Sequence, residues 1–160
     1  MEIAWGSALA FMGIAFAVVL PGIGSARTLG ILGEQAAGVI TEEPERFGQA
    51  LLLQALPGTQ GIYGLLIGFM IMSKIHVFDL ANFTHLTVPQ GWMFFIAALP
   101  VALVGLLSSI FQGKACAGGL GVITKRPEDV GKAITLAAMV ETYAVLGFLA
   151  SLLLINGIPL

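Results

Sequence analysis

Charged residues are scarce in this sequence: Asp, Glu, Lys and Arg make up 10% of the 160 residues, whereas 58% are hydrophobic. Soluble domains carry about 25% charged residues, so this composition excludes a soluble fold and indicates a membrane protein. Only seven basic residues are present, without a basic cluster, and together with the net charge of −2 this excludes nucleic-acid binding. The single cysteine, Cys116, excludes an internal disulfide and a cysteine-rich metal site.

The few charges leave four long apolar runs, each of which can cross a bilayer. The runs lie at residues 3–26, 47–73, 80–113 and 133–160, and the last contains Glu141 as its only charge. About 20 apolar residues span the hydrocarbon core as a helix. We therefore predict an all-α membrane protein with four transmembrane helices, at about residues 3–40, 45–74, 88–123 and 127–157.

Three polar connections join these helices: short turns at 41–47 and 124–132, and a longer loop near 74–90. In each short turn a threonine, Thr41 or Thr124, is placed to end or cap a helix, and a Pro-Glu pair begins the next one. The helices thus form two tandem helical hairpins. Six of the seven basic residues lie towards the short turns, so the positive-inside rule predicts that both turns are cytoplasmic.

The two hairpins are copies of one another. At a shift of 83 residues, 38–41 matches 121–124 and the Pro-Glu pair at 44–45 matches the pair at 127–128. We predict a first hairpin repeat at residues 1–77 and a second at 78–160. Because each copy contains two helices, both copies have the same orientation, unlike the inverted repeats of many secondary transporters.

Glu141 is the one acidic residue in the fourth apolar run, residues 133–160. It follows the start of the fourth helix by ~20 Å at 1.5 Å per residue, which places it near the middle of the membrane. An intramembrane carboxylate indicates a functional site, with an ion or a proton as its partner. The alternative is a structural glutamate, either protonated or paired with Arg27 or Lys114. The equivalent residue of the first repeat is Gly58, so each chain carries one such carboxylate.

The second span contains a helix break opposite this carboxylate. Pro57 removes an amide donor from the helix ladder, and Gly58 follows it. Carbonyl oxygens of the preceding turn then need another partner. A bound cation can supply that partner, although an ordinary tolerated kink is the alternative.

Polar side chains follow the break. Thr59, Gln60 and Tyr63 share a helix face, and Gln112 lies on the third span. Together with Glu141 they offer only oxygen ligands and amides, which suit hard cations, and a single carboxylate favours a monovalent ion. The pattern predicts a Na⁺ site, with interhelical hydrogen bonding as the alternative role of these side chains.

Three segments resemble the membrane-ring proteolipid, known as the c or K protein, of V-type and A/V-type rotary ATPases. They are Leu56–Gly61 with Tyr63, Phe111–Lys114 and Met139–Ala144. The resemblance covers all four spans and is strongest to the bacterial sodium-translocating branch. It implies a homo-oligomeric ring of double-hairpin subunits.

The resemblance also implies which residues bind the ion. In that branch the ligands correspond to the carboxylate of Glu141, side chains of Thr59, Gln60 and Gln112, and the backbone oxygen of Leu56. Tyr63 corresponds to a tyrosine that hydrogen-bonds the carboxylate.

The expected function is therefore a rotor-ring subunit that carries one Na⁺ across the membrane, coupled to ATP hydrolysis or synthesis. The resemblance implies several partners: a stator membrane subunit that supplies an Arg, central-stalk subunits, an ATPase head and membrane lipid. It also implies a bacterial plasma membrane. No catalytic or nucleotide-binding motif is present in this chain. A proton-translocating ring and a stand-alone cation/proton exchanger are the alternatives.

Overall fold

The computed structural model describes residues 5–79 and 81–160, and its regular segments are all helical. Four spans of 31 or 38 residues are long and apolar enough to cross a membrane. They run over Trp5–Glu42, Pro44–Lys74, Val88–Lys125 and Pro127–Gly157. This confirms the predicted all-α membrane fold of two tandem hairpins. The predicted start of the first span, at about residue 3, lies outside the described residues.

The first and third spans are continuous helices, whereas the second is interrupted. The α-helices are α1 (Trp5–Glu42), α2 (Phe47–Ala55), α3 (Thr59–Lys74), α4 (Val88–Lys125) and α5 (Val130–Gly157). Each short turn begins the next span with a 3₁₀ segment, at Pro44–Arg46 and Pro127–Asp129. Proline at a first helical position loses no hydrogen bond, because that amide has no partner within the helix.

The two turn threonines lie inside the last helical turn and do not act as caps. Thr41 Oγ1 donates to the carbonyl of Ala37 at 2.8 Å, and Thr124 Oγ1 donates to that of Leu120 at 2.9 Å. A threonine that bonds the carbonyl four residues back keeps helical backbone geometry. Each helix therefore continues one residue past its threonine.

A 3₁₀ segment, Leu56–Gly58, separates α2 from α3 at the predicted break. Pro57 lies in this segment, and the backbone N–H of Thr59 donates to the carbonyl of Leu56 three residues back. Gly61 N donates to Ser25 Oγ of α1 at 3.1 Å. The break is therefore held against α1, and it fixes the start of α3.

The two long helices, α1 and α4, pack against each other through small residues. A Cβ on Gly13 would lie 2.9 Å from the Cα of Phe95, and one on Gly24 would lie 2.9 Å from the carbonyl oxygen of Leu106. Only glycine permits backbones to approach this closely, and small residues are the usual contact in membrane helix pairs. The α1–α4 pair is therefore the centre of the fold, and the second and fourth spans pack onto it.

Both hairpins use the same internal contact. A Cβ on Gly64 of α3 would overlap the carbonyl of Ala17 on α1, and one on Gly147 of α5 would lie 3.1 Å from the carbonyl of Pro100 on α4. These two pairs are related by the 83-residue shift. The sequence repeat is thus also a repeat of packing.

At the opposite end from the short turns, the second and fourth spans are fastened together. Lys74 Nζ, at the end of α3, donates to the carbonyls of Ile155 (2.7 Å) and Asn156 (3.1 Å) in the last turn of α5. A cation at the C-terminus of a helix also interacts favourably with the helix dipole.

In the loop that follows α3, Asn82 Nδ2 donates a hydrogen bond to the carboxylate of Asp79 at 2.7 Å, and this hydrogen bond lowers the pKa of Asp79.

Candidate ion-binding site

The carboxylate of Glu141 is surrounded by four side chains that donate hydrogen bonds. Thr59 Oγ1 and Tyr63 OH each lie 2.7 Å from Oε1. Gln112 Nε2 lies 2.7 Å from Oε2, and Gln60 Nε2 lies 3.2 Å from it. Hydrogen bonds to an ionised group are about twice as strong as neutral ones. The arrangement therefore fixes both carboxylate oxygens in position.

The side chains around the carboxylate come from three helices, α3, α4 and α5. Thr59, Gln60 and Tyr63 lie in the first turns of α3, which begins at the break. Gln112 reaches the site from α4, behind it, and Glu141 enters from α5. Both glutamines are fully buried, whereas Glu141 is half-buried. The site thus lies at the outer surface of the four-helix bundle, about 17 Å along α5 from its start.

Oxygen atoms cluster around Thr59. Its Oγ1 lies 3.0 Å from the carbonyl oxygen of Leu56, 3.5 Å from Gln60 Oε1 and 2.7 Å from the carboxylate of Glu141. Hard cations such as Ca²⁺ bond oxygens at about 2.4 Å, so two ligands at a right angle are about 3.4 Å apart. The separation of 3.5 Å between Thr59 Oγ1 and Gln60 Oε1 matches this spacing, whereas the distances of 2.7 and 3.0 Å are those of hydrogen bonds.

The two buried glutamines are joined to each other. Gln60 Nε2 donates to Gln112 Oε1 at 2.6 Å, and Gln112 Nε2 lies 3.3 Å from the carbonyl of Ala137 on α5. A carboxamide has a donor end and an acceptor end. Rotating it by about 180° exchanges them, so the same side chains can donate to an empty carboxylate or offer oxygen to a cation.

The alternative partners of Glu141 lie elsewhere. Within the described residues, neither Arg27 nor Lys114 reaches it, and Lys114 Nζ lies 5.1 Å from the ring centroid of Phe111. Lys114 is two residues from Gln112, which is about 200° around a helix. Because Gln112 faces the carboxylate, Lys114 points away from it. A structural ion pair therefore does not explain Glu141.

Sequence reasoning missed the residues that support the site from behind. Ser25 accepts the N–H of Gly61 next to the break, and the Phe148 ring packs on Tyr63 at a centroid distance of 5.5 Å. Ser25 also matches Ser108 in the repeat, but Ser108 Oγ lies nearest the carbonyl of Gly105 on its own helix, at 3.4 Å. The internal repeat aligns Ser25 with Ser108, but it does not show that only Ser25 contacts the helix break.

Comparison with known proteins agrees with this architecture. The family described as the C subunit of ATP synthase matches the chain twice, over residues 12–71 and 95–154. The two matches begin 83 residues apart, which is the shift of the internal repeat. The chain belongs to this ATP synthase family. Its members form homo-oligomeric rings and translocate ions as rotor subunits of ATPase complexes, and this is the role of the chain.

Two relatives are similar over nearly the whole chain. The V-type sodium ATPase subunit K of Enterococcus hirae is 47% identical over 150 residues, which are 94% of this chain and 92% of that protein. The A-type ATP synthase subunit K of Methanocaldococcus jannaschii is 39% identical over 150 residues, which are 94% of this chain and 63% of that protein. The aligned stretch therefore includes both hairpins.

Proposed function

We propose that the rotor ring formed by this chain carries Na⁺, with one ion per subunit held at Glu141. The observation that carries the proposal is the convergence of four polar side chains from both hairpins on one carboxylate. The proposed ligands are Glu141, Gln112, Thr59, Gln60 and the backbone oxygen of Leu56. Tyr63 orients the carboxylate, and Pro57 and Gly58 form the break beside the Leu56 carbonyl.

The choice of Na⁺ over a proton rests on the surplus of oxygen atoms. A proton needs only the carboxyl group of Glu141, whereas a cation stripped of water needs several oxygens in place of its hydration shell. Two fully buried glutamines and a threonine supply them. A single formal charge at the site matches a monovalent ion. The relative from Enterococcus hirae is named as a sodium ATPase subunit, which supports the same ion.

The half-buried position of Glu141 suits transport by rotation. A carboxylate that holds Na⁺ is net neutral and can face lipid, whereas an emptied carboxylate there is costly. Release of the ion is then confined to a place where another positive charge faces the ring. We assign that charge to an Arg of a stator membrane subunit, and the drive to central-stalk subunits and an ATPase head.

The charge distribution supports an orientation in the membrane. Arg46, Lys125, Arg126 and Lys132 lie in or beside the two short turns, whereas Lys74 lies at the other end. Under the positive-inside rule the turns at 41–47 and 124–132 are cytoplasmic. We place the ring in a bacterial plasma membrane.

Carbodiimide labelling of the purified ring tests the ion. The reagent attacks a protonated carboxyl, and Na⁺ and protons compete for the same oxygen atoms. We expect labelling at Glu141, located by mass spectrometry, and protection by Na⁺ but not by choline at equal ionic strength. Lower pH should require more Na⁺ for equal protection. Labelling that ignores Na⁺ at every pH would contradict the proposal and indicate a proton-coupled ring.

Tyr63→Phe is expected to weaken Na⁺ binding by roughly tenfold without abolishing transport. The change removes a hydrogen bond to an ionised group, worth ~1.5 kcal/mol, but no ligand oxygen. The Na⁺ dependence of ATPase activity in the intact complex measures the effect. Tyr143→Phe is the matched control, because Tyr143 is the other tyrosine of the chain and its side chain is exposed on α5. Equal shifts in both variants would contradict a role for the Tyr63 hydroxyl.

A further inference from the structure

The capping position of α3, the helix that carries three residues of the site, is occupied by a glycine. The first backbone N–H groups of a helix have no carbonyl partner within it, and the side chain at the capping position usually accepts one of them. In α3 that position is Gly58, which has no side chain to offer. The N–H groups in the first turn of α3 therefore need an acceptor from elsewhere.

A serine on another helix supplies that acceptor. Gly61, the third residue of α3, donates its N–H to Ser25 Oγ of α1 at 3.1 Å. The third residue is one of the two that an ordinary capping side chain satisfies. Ser25 is 5% exposed, so this hydrogen bond is shielded from solvent. Ser25 thus caps α3 from a neighbouring helix.

The packing around this cap is close, and it fixes the position of α3 along α1. A Cβ on Gly61 would lie 3.5 Å from Ser25 Oγ and 3.7 Å from the Cα of Gly22. One turn further along α3, a Cβ on Gly64 would overlap the carbonyl of Ala17. The two helices are therefore held in one register, which starts at the hydrogen bond to Ser25.

The repeat shows that the cap accompanies the break. The residue that corresponds to Gly61 is Ala144, and it lies inside α5, a continuous helix. An amide inside a helix already has the carbonyl four residues back as its partner. Ser108, the equivalent of Ser25, lies nearest to a carbonyl of its own helix, at 3.4 Å. The serine acts as a cap in the hairpin that contains the break and the ion-site turn.

The capped turn carries most of the proposed ligands. Thr59 and Gln60 are the two residues before Gly61, and Thr59 Oγ1 lies 3.0 Å from the carbonyl oxygen of Leu56. A shift of this turn would move all three ligands relative to Glu141, which enters from α5. A dehydrated cation needs several oxygens at fixed distances, whereas a proton needs only the carboxyl group. Exact placement of the turn therefore favours Na⁺ over the proton.

We propose that Ser25 is a positioning residue that raises the affinity of the site for Na⁺, and its preference for Na⁺ over protons, without touching the ion. The inference rests on the proposed function of the chain as a Na⁺ carrier. Ser25 holds the first turn of α3 in the geometry of the bound state, so the ion does not have to order that turn when it binds. Without the hydroxyl, the buried N–H of Gly61 loses its acceptor.

Carbodiimide labelling of Glu141 in the purified ring measures both ions. The pH dependence of labelling without Na⁺ reports proton binding, and the Na⁺ concentration that halves the labelling rate reports sodium binding. We expect Ser25→Ala to raise that Na⁺ concentration about fivefold, which corresponds to about 1 kcal/mol, the usual contribution of a helix cap. The pH profile without Na⁺ should stay unchanged. Ser108→Ala is the matched control and should shift neither quantity.

Two further variants separate the hydroxyl of Ser25 from its packing. Threonine and valine have nearly the same shape, but only threonine offers an oxygen. We expect Ser25→Thr to retain the Na⁺ affinity and Ser25→Val to match the alanine variant. Equal Na⁺ affinities in these two variants would overturn the proposal, and so would a pH profile that moves together with the Na⁺ protection. Loss of the ring in every Ser25 variant would also overturn it, because the serine would then serve helix packing alone.

The unmodified ring separates this inference from the proposed function. If Na⁺ protects the unmodified ring and the Ser25→Ala ring at the same concentration, the role of Ser25 is wrong and the Na⁺ site stands. If Na⁺ protects neither ring at any pH, the proposed Na⁺ site is wrong and the role of Ser25 falls with it.

Discussion

Glu141→Gln is expected to abolish Na⁺-coupled ATP hydrolysis in the intact complex while leaving the ring assembled. The substitution keeps the volume of the side chain and one acceptor oxygen for Thr59 and Tyr63. It removes the only negative charge at the site, so a bound cation would be left without a counter-charge in a poorly hydrated place. Na⁺-stimulated ATPase activity and ring size on a native gel measure the two outcomes separately.

The matched control for this variant is Glu34→Gln. Glu34 lies on an exposed face of α1, away from the carboxylate site, so its neutralisation should leave coupling unchanged. Retained Na⁺ stimulation in the Glu141→Gln variant would show that another group carries the ion. Loss of the ring in that variant would show that the four hydrogen bonds around Glu141 are primarily structural.

Gln112→Leu is expected to lower Na⁺ affinity by roughly 100-fold. The change removes a proposed ligand and the donor 2.7 Å from Glu141, and it leaves Gln60 without the acceptor 2.6 Å from its amide. Unsatisfied buried polar groups cost about 1–3 kcal/mol each, and about 2.8 kcal/mol corresponds to a factor of 100. Sodium titration of the purified ring, read by carbodiimide protection, measures the affinity.

Gln54→Leu is the matched control for Gln112→Leu. Gln54 also donates from a carboxamide to a backbone carbonyl on a neighbouring helix, that of Leu29 at 3.3 Å, but it does not touch Glu141. We expect its Na⁺ affinity to stay within a few-fold of the unmodified ring. If both variants lose affinity equally, Gln112 acts through helix packing and is not a ligand.

The four spans were predictable because charge is so rare in this sequence. A long uncharged apolar run is most stable in the bilayer, and there it forms a helix because a helix satisfies its own backbone hydrogen bonds. The internal repeat then predicted that both hairpins have the same orientation. Two features of the second span were predictable from local chemistry. Pro57 lacks the amide that continues the helical hydrogen-bond pattern, and Thr59 and Gln60 lie four and three residues from Tyr63, so the three share a helix face.

Other features depended on packing that the sequence does not encode locally. Residues two apart point about 200° apart on a helix, so Gln112 and Lys114 cannot both face Glu141, but spacing does not decide which of them does. The burial of Gln112 beside α5 decides it. Similarly, Thr41 was predicted to end or cap a helix, but its hydrogen bond to the carbonyl of Ala37 keeps it inside the last helical turn. The role of Ser25 required knowledge of which helix faces the break.

Gly58 carries no carboxylate, and this lowers the number of ions that the rotor moves for each ATP. With Glu141 as the proposed ion site, a ring of these chains moves one ion for every four helices that pass the proposed stator, whereas a ring with a carboxylate in each hairpin would move two. The free energy of the ATP molecules used in one revolution is then divided among half as many ions. Since moving one charge across 100 mV costs about 2.3 kcal/mol, halving the ions doubles the gradient that each can be driven against. The glycine thus favours a steep gradient over a large flux.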